Sequence, residues 1–210
     1  LVNAGVMIFS PSVFKYLTEL RKYNYEKDII VPLINEGKVV SYKSSEYAKD
    51  MGTPERYRRV QEDYNSGICD AKNLANKQKA IFLDRDGTIN EYVGFLRKEE
   101  DFRLIPGVSE AIKKINNSGY LAIVVTNQPV IARGEVTEEG LEEIHKKMET
   151  LLGLDGAYID DIYYCPHHPD KGFEGEIPEL KIECDCRKPK TGMLEKAARE
   201  HNIDLSSSIM

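Results

Sequence analysis

Apolar residues along this 210-residue chain follow two different habits. From Lys79 onward they come in short unbroken runs that alternate with stripes at helical spacing. Ala80-Ile81-Phe82-Leu83 is one run, and Tyr120 to Val125 forms another. Runs of this length read as strands of a parallel sheet covered on both faces. Ile162-Tyr163-Tyr164 predicts a third, shorter strand. Pro106-Gly107 precedes a predicted helix bearing Val108, Ala111, Ile112 and Ile115, which Gly119 ends. Thr137 predicts the cap of a second helix with a Leu141, Ile144, Met148 and Leu151 stripe. Thr191 opens a third, with Leu194, Ala197 and Ala198 inward. Strands alternating with helices imply an α/β protein built on a doubly wound parallel sheet, whose ligands sit beyond the carboxyl ends of the strands.

The residues before this region pattern less regularly. Val6-Met7-Ile8-Phe9 predicts a short strand. Ser10 and Pro11 predict a helix start, with Val13, Phe14, Leu17 and Leu20 at helical spacing. Val39-Val40-Ser41-Tyr42 reads as another strand. Thr53-Pro54 opens a helix with Tyr57, Val60 and Tyr64 on one face, and Asn65-Ser66-Gly67 ends it. These elements are too few for a self-sufficient core, so 1–66 reads as the carboxyl-terminal part of a larger domain. The polar, Lys- and Asn-rich stretch 67–78 reads as a linker, and 79–210 as the sheet domain. The chain does not begin with Met, and it stops at Ile209-Met210 as a new apolar segment begins. Truncation at both ends is therefore expected.

Composition narrows the partners. The net charge of -6 makes nucleic acid a poor one. No apolar run approaches the ~20 residues that span a bilayer, and Leu1 to Gly5 lack the basic and apolar regions of a leader peptide. The expectation is a cytoplasmic enzyme acting on a small molecule, with no membrane attachment. Cys69 is isolated, whereas Cys165, Cys184 and Cys186 cluster with His167, which in a reducing compartment reads as metal binding.

Candidate chemistry falls where the sheet pattern puts it. Asp84-Arg85-Asp86-Gly87-Thr88 follows the first buried strand. Residues i and i+2 of an extended chain point to one side, so the spacing aims two carboxylates at one place, and Gly87 permits a tight turn. Such a pair can share Mg²⁺, and one member can attack phosphorus while the other transfers a proton. A lone Asp-x-Asp is commonly a surface turn, but two further elements join it. Thr126-Asn127-Gln128 ends the next strand and offers uncharged donors for phosphate oxygens. Arg187-Lys188-Pro189 precedes the last helix and supplies a fork and a point charge. Separately, Cys165-Pro166-His167 and Cys184-Asp185-Cys186 form two ligand pairs around a polar loop. Cys165, His167, Cys184 and Cys186 make a tetrahedral structural zinc set, with His168 as a competing ligand. The other reading is free cysteines beside a surface histidine.

The three sheet-edge motifs resemble those of the haloacid-dehalogenase superfamily of phosphatases. The resemblance implies that Asp84 is the nucleophile, forming an aspartyl-phosphate, and that Asp86 is the general acid and base. It implies Mg²⁺ on Asp84 and the Asp86 carbonyl, and Thr126 and Lys188 as supports of the phosphoryl group. A further acidic motif is expected after the next strand, past Met210, so the 210 residues alone are expected to lack a metal ligand and to be inactive without it. Cys-Pro-His-His-Pro followed by Cys-Asp-Cys-Arg-Lys-Pro is similar to the heptose-bisphosphate and histidinol-phosphate phosphatases. That likeness implies a zinc loop shaping the pocket and substrate recognition by Arg187. Asn127, Gln128, Tyr92, Gly94 and Phe95 are further substrate-binding candidates. Pro129-Val130 departs from the Ser-Gly that many relatives carry.

Asn3-Ala4-Gly5-Val6 and Asp50-Met51-Gly52-Thr53-Pro54-Glu55-Arg56-Tyr57 resemble the carboxyl-terminal portion of sugar-nucleotide pyrophosphorylases. There an aspartate at the position of Asp50 can help bind the catalytic metal; a turn residue before a helix is the alternative. A pyrophosphorylase consumes a sugar 1-phosphate and a sugar-bisphosphatase makes one, so the pairing favours a heptose 1,7-bisphosphate over histidinol phosphate. A non-enzymatic, zinc-bearing binding module is the third reading, which intact Asp84, Asp86, Thr126 and Lys188 oppose.

Overall fold

The computed structural model describes residues 5–42, 44–172 and 174–210. Among them the α-helices are, in chain order, α1 (Val31–Asn35), α2 (Pro54–Asn65), α3 (Ile68–Ala71), α4 (Val108–Asn116), α5 (Pro129–Ala132), α6 (Glu138–Leu154) and α7 (Gly192–Glu200). Strands β1 (Ala80–Leu83), β2 (Leu121–Asn127) and β3 (Asp161–Cys165) form a parallel sheet in the order β1-β2-β3. Its register pairs Ala80 with Leu121 and Ile123 with Asp161.

Strand β2 is central, and its alternation builds the core. Ala122 and Val124 face one way and pack with Ile112 of α4 and Ile144, Met148 and Leu152 of α6. Leu121, Ile123 and Val125 face the other way and pack with Phe82, Tyr163 and with Met193 and Ala197 of α7. A strand buried on both faces has no room for polar alternation, which is why its sequence is a continuous apolar run. Thr137 caps α6 as predicted, its side chain accepting the Gly140 N–H.

The chain returns to β1 from the opposite side. Ile209 exchanges backbone hydrogen bonds with the β1 segment, donating to Ala80 and accepting from Phe82. Chain beside β1 on one flank and β2 on the other places the topological switch point at the carboxyl end of β1, where Asp84 follows.

The described residues divide into two units, one within Leu1–Ser44 and Ala48–Val60, the other within Ser45–Tyr47 and Gln61–Met210. Several expectations for the first part are corrected. Val6 to Phe9 and Val39 to Tyr42 form no strand. No partner strand accompanies them among the described residues, and an unpaired strand leaves its backbone groups unsatisfied. Ser10 does cap a helix starting at Pro11, but it is a 3-10 helix that ends at Tyr16, and Phe14 and Leu20 stay exposed. Helix α2 starts at Pro54 as expected, yet Tyr57 and Tyr64 are exposed. Asn3, Ala4 and Phe173 lie outside the described residues. The stretch 67–78, expected as a linker, carries local structure. It contains α3, and Asn202 donates to the carbonyls of Leu74 and Asn76 while Gln78 N–H donates to Asn202. Polar side chains and backbone, rather than apolar ones, fasten this segment, so its sequence reads as loose.

Candidate active site

Leaving β1, the chain turns sharply on one carbonyl. Arg85 O accepts from the N–H groups of Thr88, Ile89 and Asn90, and Gly87 takes a positive φ of 80° that favours glycine. This turn separates the surroundings of the two aspartates. Asp84 is partly exposed, and its Oδ2 lies 2.9 Å from Lys188 Nζ. Its Oδ1 accepts the Arg85 N–H at 2.8 Å. Lys188 Nζ also donates to Val125 O at 2.9 Å, so the ammonium bridges the ends of β1 and β2. Asn127 fixes the Lys188 backbone from both sides, its Oδ1 accepting the Lys188 N–H and its Nδ2 donating to Lys188 O.

Asp86 is gripped by other partners. Arg85 donates from Nε and Nη2 to Oδ1 and from Nη2 to Oδ2, and Asn90 Nδ2 donates to Oδ1 at 3.1 Å. Gln128 Nε2 donates to Oδ2 at 2.8 Å and also to Thr126 Oγ1 at 2.8 Å. Arg85 is wholly buried, and Nη2 donates onward to Gln128 Oε1 while Nη1 lies 3.3 Å from His145 Nε2 on α6. Burial pulls the Arg85 guanidinium below the ordinary arginine value, and the Asp86 carboxylate opposes that.

The predicted site residues therefore divide. Asp84 and Lys188 meet directly, Asn127 sets the Lys188 loop, and Thr126 is buried in contact with Gln128. Gln128, read from the sequence as facing substrate, is turned into the Asp86 network instead. Arg187 Nη1 donates to His167 O at 3.2 Å, tying the basic motif to the Cys/His loop. Tyr92 is exposed, and Phe95 lies under the Arg133 guanidinium, 4.2 Å from its ring centre. Gly94 takes a positive φ of 79° in the turn between them. Asp50 is an exposed turn residue, accepting the Gly52 N–H at 2.7 Å and paired with Arg56. The Gly52 hydrogen bond holds its carboxyl below the usual range.

Sequence reasoning passed over Arg85, Asn90 and His145. His145 had a signal: it is a polar residue inside the buried stripe of Leu141, Ile144, Met148 and Leu152.

Cys165 Sγ, His167 Nδ1, Cys184 Sγ and Cys186 Sγ converge within 4.8 Å of one another, with no disulfide among them. His167 Nδ1 is 3.3 Å from Cys186 Sγ, and Cys165 Sγ is 3.5 Å from Cys184 Sγ. Three thiols and an imidazole nitrogen closing on one point fit a four-coordinate metal ion. Among the described residues this is the one such grouping of three or more donor side chains. His168 is turned elsewhere, its Nδ1 accepting the Asp170 N–H and its own N–H donating to Leu180 O. Burial, then the neighbouring Cys186 thiol, pushes the Cys165 thiol well up. Gly192 lets α7 start against this loop, since a Cβ there would fall 2.6 Å from Asp185 O.

A parallel α/β sheet with a carboxylate and a lysine paired at its switch point is the arrangement of a phosphoryl-transfer enzyme of the haloacid-dehalogenase type. The chain belongs to the family described as polynucleotide kinase 3 phosphatase, whose model matches residues 79–209. Phosphatases of this superfamily are magnesium-dependent phosphoric monoester hydrolases. D-glycero-beta-D-manno-heptose-1,7-bisphosphate 7-phosphatases are similar to it. The Haemophilus ducreyi protein is 45% identical over 134 residues, covering 63% of this chain and 71% of that protein. The Photorhabdus laumondii protein is 47% identical over 131 residues, covering 62% and 68%. A putative haloacid-dehalogenase-like phosphatase structure from Mesorhizobium loti is 32% identical with a TM-score of 0.58, covering 63% of this chain and 61% of that one. The D,D-heptose 1,7-bisphosphate phosphatase structure from B. bronchiseptica, complexed with magnesium and phosphate, is 35% identical with a TM-score of 0.52, covering 61% and 66%. The chain thus spans about two thirds of these relatives. No helix among the described residues is long and apolar enough to cross a membrane.

Proposed function

We propose that this chain removes the 7-phosphate from D-glycero-D-manno-heptose 1,7-bisphosphate through an aspartyl-phosphate on Asp84. The observation that carries the reading is the Asp84–Lys188 pair at the end of β1 in a chain 45% identical to a named heptose-bisphosphatase. Asp84 Oδ forms a bond to phosphorus as the bond from phosphorus to the sugar oxygen breaks. Asp86 gives its proton to that departing oxygen. In the second half Asp86 takes a proton from water, the water oxygen bonds to phosphorus, and the Asp84–phosphorus bond breaks to free phosphate. Lys188 neutralises charge beside Asp84, and the Thr126 hydroxyl supports the phosphoryl oxygens. Asn127 holds the Lys188 loop in place.

A carboxylate and a backbone carbonyl are hard oxygen donors, so Asp84 and the Asp86 carbonyl suit Mg²⁺. When bound, Mg²⁺ would offset repulsion between the Asp84 carboxylate and the phosphate dianion. The Cys165, His167, Cys184 and Cys186 set suits Zn²⁺, whose closed coordination would staple the loop. Arg187, tied to His167 O, and the Tyr92 to Phe95 turn are the proposed walls of the sugar pocket.

The residues before position 67 are proposed as the end of a sugar-1-phosphate nucleotidyltransferase, with 67–78 joining the two parts and 79–210 forming the phosphatase. A phosphatase that leaves the 1-phosphate in place would supply such a partner with its substrate. Asp50 in its turn contributes nothing to this proposal beyond its sequence likeness. The test compares turnover of heptose 1,7-bisphosphate and histidinol phosphate by the full chain with Mg²⁺. Preferred hydrolysis of the heptose ester, with the 1-phosphate retained, is the expected result; faster turnover of histidinol phosphate would overturn the substrate assignment.

A further inference from the structure

We propose that Arg85, the residue between the two aspartates, is a positioning residue that aims the Asp86 carboxylate, taking its own orientation from Gln128 and from His145 of α6. The proposal rests on the phosphatase reading above and names a part of the machinery that reading does not include.

A buried guanidinium is costly to desolvate, and a buried ion pair is a weak source of stability. Arg85 is therefore poorly explained as a core filler. Its geometry is that of a clamp. Nη2 reaches both oxygens of Asp86 at 2.9 Å, and Nε adds a bond to Oδ1 at 3.2 Å. Planar fork contacts of this kind fix the direction of a carboxylate as well as its location. The fork is fixed in turn from two other elements. Gln128, just past β2, accepts from Nη2 at 3.0 Å, and His145 receives Nη1 at 3.3 Å. Gln128 closes the circuit by donating to Asp86 Oδ2.

Asp86 sits in a turn rather than in a strand, so its backbone alone does not dictate where the carboxyl points. With a substrate-side proton transfer at stake, a misdirected carboxyl slows chemistry while leaving binding by Asp84, Lys188 and Thr126 in place. A lysine at position 85 would keep the charge and lose the fork. Phenylalanine at position 145 would keep a ring facing Tyr164, whose ring centre is 5.9 Å away, and lose the nitrogen acceptor.

The test measures first-turnover release of two leaving groups by the full chain. The sugar alkoxide of heptose 1,7-bisphosphate needs a proton to depart, and p-nitrophenolate does not. For Arg85→Met, release of the sugar should fall ~100-fold, in the range typical of a lost general acid, with KM changed less than about threefold. Nitrophenolate release should fall less than about threefold. Arg85→Lys and His145→Phe should show the same imbalance with smaller losses, of about tenfold for the sugar. Equal losses for both esters, in variants whose thermal unfolding stays cooperative, would overturn the positioning role and leave the phosphatase reading standing. Full-length wild-type protein inert towards both esters would overturn the phosphatase reading, and the catalytic role of the clamp with it.

Discussion

Phe14 and Ile144 are both large apolar side chains that the sequence places on helical stripes, and they end in opposite surroundings. Phe14 is 69% exposed, while Ile144 has no exposed surface. The contrast extends to their units. Val6, Ile8, Leu20, Val40 and Tyr42 all stand in solvent, and of the described residues before position 60 only Ile29 joins the buried apolar set. From position 80 onward apolar side chains close on both faces of β2. Hydrophobic spacing is a request for a partner surface; it produces a core only where a second element answers it. The sheet supplies that answer from its own helices, and the earlier segment, taken by itself, does not.

The sharpest way to test the contrast is at two of the aspartates assigned to metal or catalysis, Asp84 and Asp50, one from each unit. Asp84→Asn replaces the attacking carboxylate with an amide that cannot form the acyl-phosphate. Phosphatase turnover should fall at least ~10⁴-fold, as for nucleophile loss elsewhere. Asp50→Asn alters an exposed turn and should change turnover less than about twofold. A comparable loss in both, by phosphate-release assay, would mean that the unit before position 60 takes part in hydrolysis.

The second test reads the cores directly. Ile144→Ala opens a cavity against Val124, Met148 and Leu152 and should cost roughly 3 kcal/mol. Phe14→Ala should stay within about 0.5 kcal/mol. Denaturant midpoints on the full chain measure both. A large Phe14 effect would show that its ring is covered in solution.

These outcomes bear on what could be read without the structure. The three strands and helices α4, α6 and α7 were legible because each carries a strong apolar period, ended in α4 by Gly119 as a left-handed terminus and opened in α6 by the Thr137 side-chain cap. Thr191, by contrast, makes no cap bond at α7, and the short α5 was not expected. Val6 to Phe9 carries the same local signal and forms no strand, since strand formation depends on a neighbour that composition cannot reveal. In the site, Asp84 and Lys188 were legible from their places after β1 and before α7. The direction of Gln128 was not. An amide at a strand end can face substrate or turn inward with equal local propriety, and here the demand of the buried Arg85 settles it. Arg85 itself was hidden between two more conspicuous aspartates.

A third region complicates the two-way contrast, because the Cys/His loop gathers its four donor side chains at one point and is proposed to rely on zinc. Extraction of the metal under reducing conditions should lower the thermal midpoint by roughly 5 °C, or ~2 kcal/mol for a chain of this size. Added zinc should restore it. The segment from about 174 to 183 should become protease-sensitive before the sheet unfolds, since β1 and β2 also bury their side chains against α4, α6 and α7. One zinc per chain is expected by metal analysis. Metal-free protein with an unchanged midpoint would remove zinc from the account.

The smallest expected effect concerns two adjacent carboxyls at the start of β3, which titrate in opposite directions. Burial alone would raise Asp161, but the hydrogen bond from His201 at 2.8 Å, helped by the Ile162 N–H, outweighs it and holds the carboxyl below its ordinary value. A carboxyl that ionises more readily when folded adds stability above the unfolded value near 4, and that contribution is lost as pH falls through the folded value. Asp160 has the reverse sign. Burial raises it, with Lys72 3.8 Å away opposing, so its protonated form favours folding. Its contribution is present below pH ~4 and fades as pH rises through the folded value. His201→Phe keeps an aromatic ring against Tyr163 and removes the donor to Asp161. It should cost about 1 kcal/mol at pH 7, and the loss of stability on acidification below pH ~4 should become shallower. Asp160→Asn should instead steepen that acid loss, because it removes the neighbour whose protonation had been compensating. Unfolding titrations across pH 3 to 7, read as slopes for the two variants and the parent, separate the signs. Slopes that shift in the same direction in both variants would mean that the His201 contact does not govern Asp161.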